Sequence, residues 1–243
     1  MTTPQAGAVF LVGGGWDPEA IEAVYSPFVR AAAALADRAC PRIAVLLVVE
    51  HPDAELADRW TRVLAAAGDC TVDVTSIIEG EAMPEVAGDV DGIVVGGGLT
   101  PAYLDAIAPI AESIRSRVAY GVPYLGFSAG AAIAAERAIL GGWRIDGVQM
   151  GVEDAAEELD ELEIRQGLAL VDFAVDVHAT QWGTLGRLVS AVDARRLERG
   201  SAIDENTVLI VRGADRRVGG AGRVWSVDRA GGGARIRIDR AHG

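Results

Sequence analysis

Short apolar runs alternate with amphipathic stretches along most of the chain, the pattern of strands alternating with helices. Ala8–Val12, Ile43–Val49, Gly92–Val95 and Val122–Phe127 are almost continuously apolar. Such runs suit strands buried on both faces of a parallel sheet. Thr71–Thr75 alternates instead and predicts a further strand. Between these, Asp17-Pro18-Glu19 reads as an N-cap, a first-turn proline and an acid, opening a helix that runs to about Arg38. Asp53–Ala67 and Ala102–Val118 also read as helices. The last third differs. Leu168–Val177 reads as a strand and Thr184–Leu197 as an amphipathic helix. Ser201–Val211 reads as a hairpin with a polar turn at Asp204-Glu205-Asn206. Two short strands, Val224–Val227 and Arg235–Ile238, flank a Gly231–Gly233 turn. The order predicts an α/β fold with a mostly parallel sheet and a more antiparallel C-terminal part. No internal repeat or interdomain linker divides it, so residues 1–243 read as one domain.

Three of the apolar runs end in glycine-bearing loops: Gly13-Gly14-Gly15, Gly96-Gly97-Gly98 and Gly126-Phe127-Ser128-Ala129-Gly130. The third has the strand, turn and helix context of a nucleophile elbow. A serine on so tight a turn needs near-absent side chains two residues away on either side, and Gly126 and Gly130 supply them. The helix that follows points free N–H groups at the site, so the Ala129 N–H is a candidate oxyanion donor. The 96–98 loop follows a strand one βα unit earlier. If the two strands are neighbours, Gly97 and Gly98 lie at the same carboxyl edge, where open α/β sheets bind ligands. A plain packing turn would use the same glycines.

Composition narrows the chemistry. Net charge is −13 and all 22 Lys+Arg positions are Arg. The absence of lysine removes P-loop, Schiff-base and Ser–Lys chemistry. The acidic balance argues against nucleic acid or an anionic membrane as partner. No apolar run approaches the ~18 residues of a membrane span. Only Cys40 and Cys70 occur, without metal-ligand spacing, so no metal site is expected and a reducing, cytoplasmic setting fits. There are three histidines: His51, His178 and His242. His242 lies in the tail and His51 precedes the serine by two βα units. By elimination His178, in a strand-like run after Ser128, is the candidate base. The acidic stretch Glu153–Glu163 reads as a solvated segment or as a lid giving the site a negative rim.

With these residues in place the chain resembles peptidase family S51, the group of peptidase E and cyanophycinase. The likeness runs from about Gly92 to Val227. It rests on Val95-Gly96-Gly97-Gly98-Leu99-Thr100, on Gly126–Ala132, on Asp176-Val177-His178 leading into Leu185-Gly186-Arg187-Leu188, and on Ala202-Ile203-Asp204-Glu205-Asn206-Thr207. The family is related in fold to class I glutamine amidotransferase domains, so the resemblance implies a three-layer, flavodoxin-like or amidotransferase-like α/β sandwich. It also implies Ser128 as nucleophile and His178 as general base, with Gly97, Gly98 and Ala129 around the oxyanion. Asp146 lies about where the family's acid falls after the serine, with Glu153 and Asp154 as competitors. Asp176, two residues before His178, is a candidate to orient the ring or bind a substrate amine. The chain departs from the family at Leu99, where peptidase E usually has Asn, and at Trp182 and Thr184, where cyanophycinases usually carry arginines. Arg187 remains. Trp and Thr cannot replace the bidentate fork by which arginine holds a carboxylate.

The resulting expectation is a serine-type peptidase acting on a small peptide, with no cofactor, and compatible with a homodimer. Trp182 and Arg187 join Asp176 as candidate substrate contacts. Two other readings stay open. An α/β-hydrolase esterase shares the elbow but normally reaches its histidine near the chain end, whereas here about 65 residues follow His178. A binding protein that kept the fold without catalysis is the other.

Overall fold

The computed structural model describes residues 6–241; His242 lies outside them. Its main sheet has seven strands. Five are the strands predicted in the first half, four apolar runs and the alternating β3: β1 (Val9–Val12), β2 (Arg42–Val49), β3 (Thr71–Ile78), β4 (Gly92–Val95) and β5 (Tyr124–Phe127). They lie parallel in the order β3-β2-β4-β5-β1. The chain's own first strand, β1, stands beside β5.

Helices cover both faces, as the burial of β1, β2, β4 and β5 requires. On one face α1 (Ile21–Val24), α2 (Ser26–Leu35) and α3 (Ala54–Ala67) bring Val24, Phe28, Trp60 and Leu64 against Phe10, Val45, Leu47 and Val94. On the other, α4 (Thr100–Ile107), α5 (Ala111–Ala119) and α6 (Ala129–Ile133) bring Tyr103, Ile107 and Ile114 against Leu11, Leu46, Ile93 and Val95. Alternate residues of each strand thus serve the two layers. Two helices that the pattern predicts as continuous are broken. The first splits at Tyr25 before Pro27, and the 102–118 helix splits through a 3₁₀ turn at Ala108–Ile110 around Pro109. Proline withholds one N–H and crowds the preceding turn, which explains both breaks.

Past α6 the chain forms β6 (Arg137–Gly141), the hairpin β7 (Arg144–Ile145) and β8 (Val148–Gln149), and β9 (Glu163–Gln166), which pairs with β6. A second sheet follows. It contains β10 (Ala174–Val177), β11 (Arg199–Ile203), β14 (Arg223–Ala230) and β15 (Gly233–Arg240), with α7 (Leu185–Asp193) packed on it. The strands β12 (Thr207–Arg212) and β13 (Asp215–Gly220) return to the main sheet, β12 antiparallel to β1.

The hairpin predicted over 201–211 is therefore corrected. β11 pairs with β10 and β14, and β12 with β1 and β13, but not with each other. The polar turn Asp204-Glu205-Asn206 carries the chain from one sheet to the other. Together the sheets make a mixed α/β fold. Among the described residues no helix is long and apolar enough to cross a membrane.

Candidate active site

Strand order brings the glycine loops together. The neighbours β12, β1, β5 and β4 present Asn206, Gly13-Gly14, Ser128 and Gly96–Gly98 side by side along one edge of the main sheet. Ser128 turns sharply between β5 and α6, with φ 51° and ψ −112°. Its N–H donates to Val12 O, and its carbonyl accepts from the N–H groups of Ala131 and Ala132. The flanking glycines are sterically required, because a Cβ on Gly126 would collide with the Gly130 carbonyl. From behind, the buried Tyr124 hydroxyl donates to Gly130 O at 2.7 Å, and burial raises that phenol's pKa far beyond its ordinary value. Phe127, one residue before the serine, packs against Trp16 and Trp60 with centroids 4.5 and 5.4 Å away. The scarce aromatics are thus concentrated behind this turn, each pair adding about 0.5–1.5 kcal/mol beyond its buried area.

Ser128 Oγ lies 2.8 Å from His178 Nε2. On the far side of the ring, Nδ1 lies 2.7 Å from Glu205 Oε1. His178 follows the last residue of β10 with φ 54°, and its N–H donates to Gly13 O. Gly14, with φ 98°, abuts the ring at Cε1, where any Cβ would collide with the imidazole. The 13–15 loop thus approaches His178 closely. Burial pushes the imidazole pKa below its ordinary value, against the opposing pull of Glu205. A neutral ring with Nδ1–H donated to a carboxylate leaves Nε2 as acceptor for the serine proton, the arrangement that general-base activation of a hydroxyl needs.

Asp146 does not reach this ring. Asp146 and Gly147 both have positive φ and form the tight turn of the β7–β8 hairpin. Asp-Gly is a favoured pair for such turns, and it sends the carboxylate into solvent, where it pairs with Arg196 at 2.7 Å. Glu153 and Asp154 are likewise exposed, in a 3₁₀ turn. The carboxylate that meets the His178 ring is that of Glu205, which a hairpin reading of 201–211 hides. Its signal in the sequence is the Asp204-Glu205-Asn206-Thr207 run. Asp204 is buried and accepts from the Thr180 N–H and Oγ1 and from the Arg223 N–H. It fastens the loop after His178 to the crossing that carries Glu205.

Asp176 and Arg187 form a buried bidentate pair, with bonds of 2.7 and 2.9 Å. Asp176 therefore does not orient the ring. Arg187 also donates to Ala155 O, so its fork is occupied by the protein itself. The pair pins the acidic stretch to β10. Nearby, the half-buried Glu157 accepts from the Thr100 N–H at 2.8 Å, and burial raises its pKa. The acidic stretch is thus partly engaged inward rather than wholly solvated. Thr184 is buried and donates to Val177 O. Trp182 stacks on the His178 ring, 3.8 Å between centroids and 8° between planes, with its side chain still 45% exposed. Gly97 lies directly against Ser128, since a Cβ there would meet the serine Cβ at 2.8 Å, and Tyr103 Oη holds the Gly97 carbonyl at 3.3 Å.

The chain matches the profile of peptidase family S51 over residues 48–219. It is 30% identical over 241 residues to the cyanophycinases of Trichormus variabilis and of Nostoc sp., covering 94% of this chain and 76% of each relative. Among solved structures, a peptidase from an acI-B1 Actinobacterium shares the fold with a TM-score of 0.68 at 16% identity, over 100% of this chain and 97% of the other. The profile match, spanning both the serine turn and the histidine strand, and the relatedness to two cyanophycinases over most of the chain establish that this protein belongs to peptidase family S51.

Proposed function

We propose that the protein is a serine-type peptidase that hydrolyses short peptides, on an amidotransferase-like α/β sandwich. The observation that carries this reading is the unbroken chain from Ser128 Oγ through His178 to Glu205, beside the Gly97 backbone. In it, Ser128 sits on a nucleophile elbow and attacks the scissile carbonyl while His178 takes its proton. Glu205 keeps the imidazole in the tautomer with Nε2 free and stabilises the imidazolium that forms. The N–H of Ala129, with those of Gly97 and Gly98, stabilises the oxyanion. His178 then protonates the leaving amine, and water, activated by the same ring, resolves the acyl-enzyme. The test is a fluorophosphonate probe beside a dipeptide panel that includes aspartyl and β-aspartyl peptides. Labelling at Ser128 with hydrolysis of at least one peptide is expected; an unlabelled, inactive protein would favour a binding role.

The pH profile follows from the base. Protonation of His178 removes the acceptor for the serine proton, so kcat/KM falls as pH drops. Because burial lowers the pKa of this imidazole, the acid midpoint will lie below the ordinary histidine value. A midpoint clearly above that value would mean that another group controls the rate.

Specificity follows from what stands where relatives carry arginines. Trp182 offers an indole, Thr184 is turned inward, and Arg187 is consumed by Asp176. A substrate carboxylate desolvated here would lack a cationic partner, a heavily penalised state. The exposed Trp182 and Val152 instead suit an apolar or cationic side chain, the latter resting on the indole. For peptides differing only at P1, kcat/KM for Leu or Arg will exceed that for Asp at least about tenfold, a difference of ~1.4 kcal/mol. A preference for Asp would sink this part of the reading and point to a different arginine.

A further inference from the structure

The loop after β10 makes one tight turn in which the Trp182 N–H donates to the His178 carbonyl at 2.8 Å. Side chains four residues apart across such a turn lie on the same side. That is how the indole comes to lie flat on the imidazole. The rest of the ring is already confined: Ser128 at Nε2, Glu205 at Nδ1 and Gly14 at Cε1. We propose that Trp182 is a positioning residue that closes one face of the His178 imidazole and holds the ring in the plane joining Ser128 to Glu205. The inference rests on the proposed role of His178 and adds a residue to it.

Two consequences follow from the geometry. His178 has positive φ, and its edge contacts leave rotation out of plane opposed chiefly by what covers its faces. The indole supplies that cover over a flat contact, so its loss frees the ring to tilt away from Ser128. The indole also keeps water off the imidazole, which is only 6% exposed while Trp182 itself is 45% exposed. Shielding favours the neutral ring, whereas an aromatic face favours the imidazolium. The other charges around the ring are fixed: Glu205 at Nδ1, Asp176 and Arg187 neutralising each other on β10 and α7, and Asp204 accepting hydrogen bonds from Thr180 and Arg223. Burial is the largest influence on this imidazole and opposes its protonation. Opening one face to water therefore raises its proton affinity.

The experiment compares Trp182→Ala and Trp182→Phe with the wild-type full chain. It uses two readouts: histidine ring NMR titration, with His178 assigned by its absence in His178→Asn, and the pH dependence of kcat and KM. In Trp182→Ala the His178 midpoint is expected to rise and kcat to fall about 10–100-fold for every cleaved peptide, with KM changed less than about threefold for peptides whose P1 side chain is too small to reach the indole. Trp182→Phe, which keeps a flat ring, is expected to recover most of both. A His178 midpoint and kcat unchanged in Trp182→Ala would overturn the proposal. So would a change in KM alone, which would make Trp182 only a substrate contact. The NMR titration needs no turnover. A wild-type protein with no hydrolysis but a shifted midpoint in Trp182→Ala would refute the peptidase reading while leaving the ring clamp standing.

Discussion

Ser128→Ala is expected to lower hydrolysis of every cleaved peptide by about 10⁵–10⁶-fold, because removing the proposed nucleophile of a unit that acts together abolishes nearly all its chemistry. Fluorophosphonate labelling will vanish with it. The fold will not. Ser128 Oγ bonds only to His178 among the described residues, and the turn is held from elsewhere. Backbone bonds from Ser128 to Val12 and from Gly130 to Gly96, and the Tyr124 hydroxyl on Gly130 O, are untouched by the change. Losing one neutral hydrogen bond costs about 0.5–1.5 kcal/mol. In a chain of this size that moves the melting midpoint by only a few degrees. Substrate affinity, measured by equilibrium binding, should be nearly unchanged. Activity of the alanine variant within tenfold of wild type would remove Ser128 from the reaction.

Most of the architecture was legible where a local pattern has one physical solution. Unbroken apolar runs such as Ile43–Val49 suit only a strand covered on both faces, and the structure covers them so. The three glycine loops mark places where backbone must approach closely, and they share one sheet edge. What the pattern left open was which strand partners which. An apolar run carries no mark of its neighbour. The insertion of β1 beside β5 and the departure of β12 to the main sheet therefore had no local signature. The same blindness hid the acid. The resemblance to family S51 implied Asp146, yet the local Asp-Gly signal already made that residue a hairpin turn facing water. Glu205 looked like a turn residue and is one. Its turn joins two different sheets, and so it stands at their seam beside the end of β10. Pro27 and Pro109 were legible signals that the helical periodicity around them obscured.

The seam makes the second large effect specific. Glu205→Gln is expected to reduce kcat about 10³-fold with little change in KM. The amide is nearly isosteric, so the ring stays in place. Its NH2 group can donate where the carboxylate could only accept, so the Nδ1–H tautomer is no longer enforced, and without charge it does not stabilise the imidazolium formed as Ser128 attacks. The side chain of Glu205 is 25% exposed. Solvent therefore screens part of the field, which places the loss below that of Ser128→Ala. The sign of the pH effect is a second readout. Glu205 raises the proton affinity of His178 through both its hydrogen bond and its charge. With the carboxylate gone, burial acts unopposed by Glu205, the imidazole pKa falls further, and the acid limb of the residual activity moves to lower pH. Asp146→Asn breaks only the exposed pair with Arg196, worth at most about 1 kcal/mol, and should leave kcat within twofold. If Asp146→Asn were the crippling variant and Glu205→Gln the silent one, the acid would have been misassigned and the position implied by the family resemblance would have been the better guide.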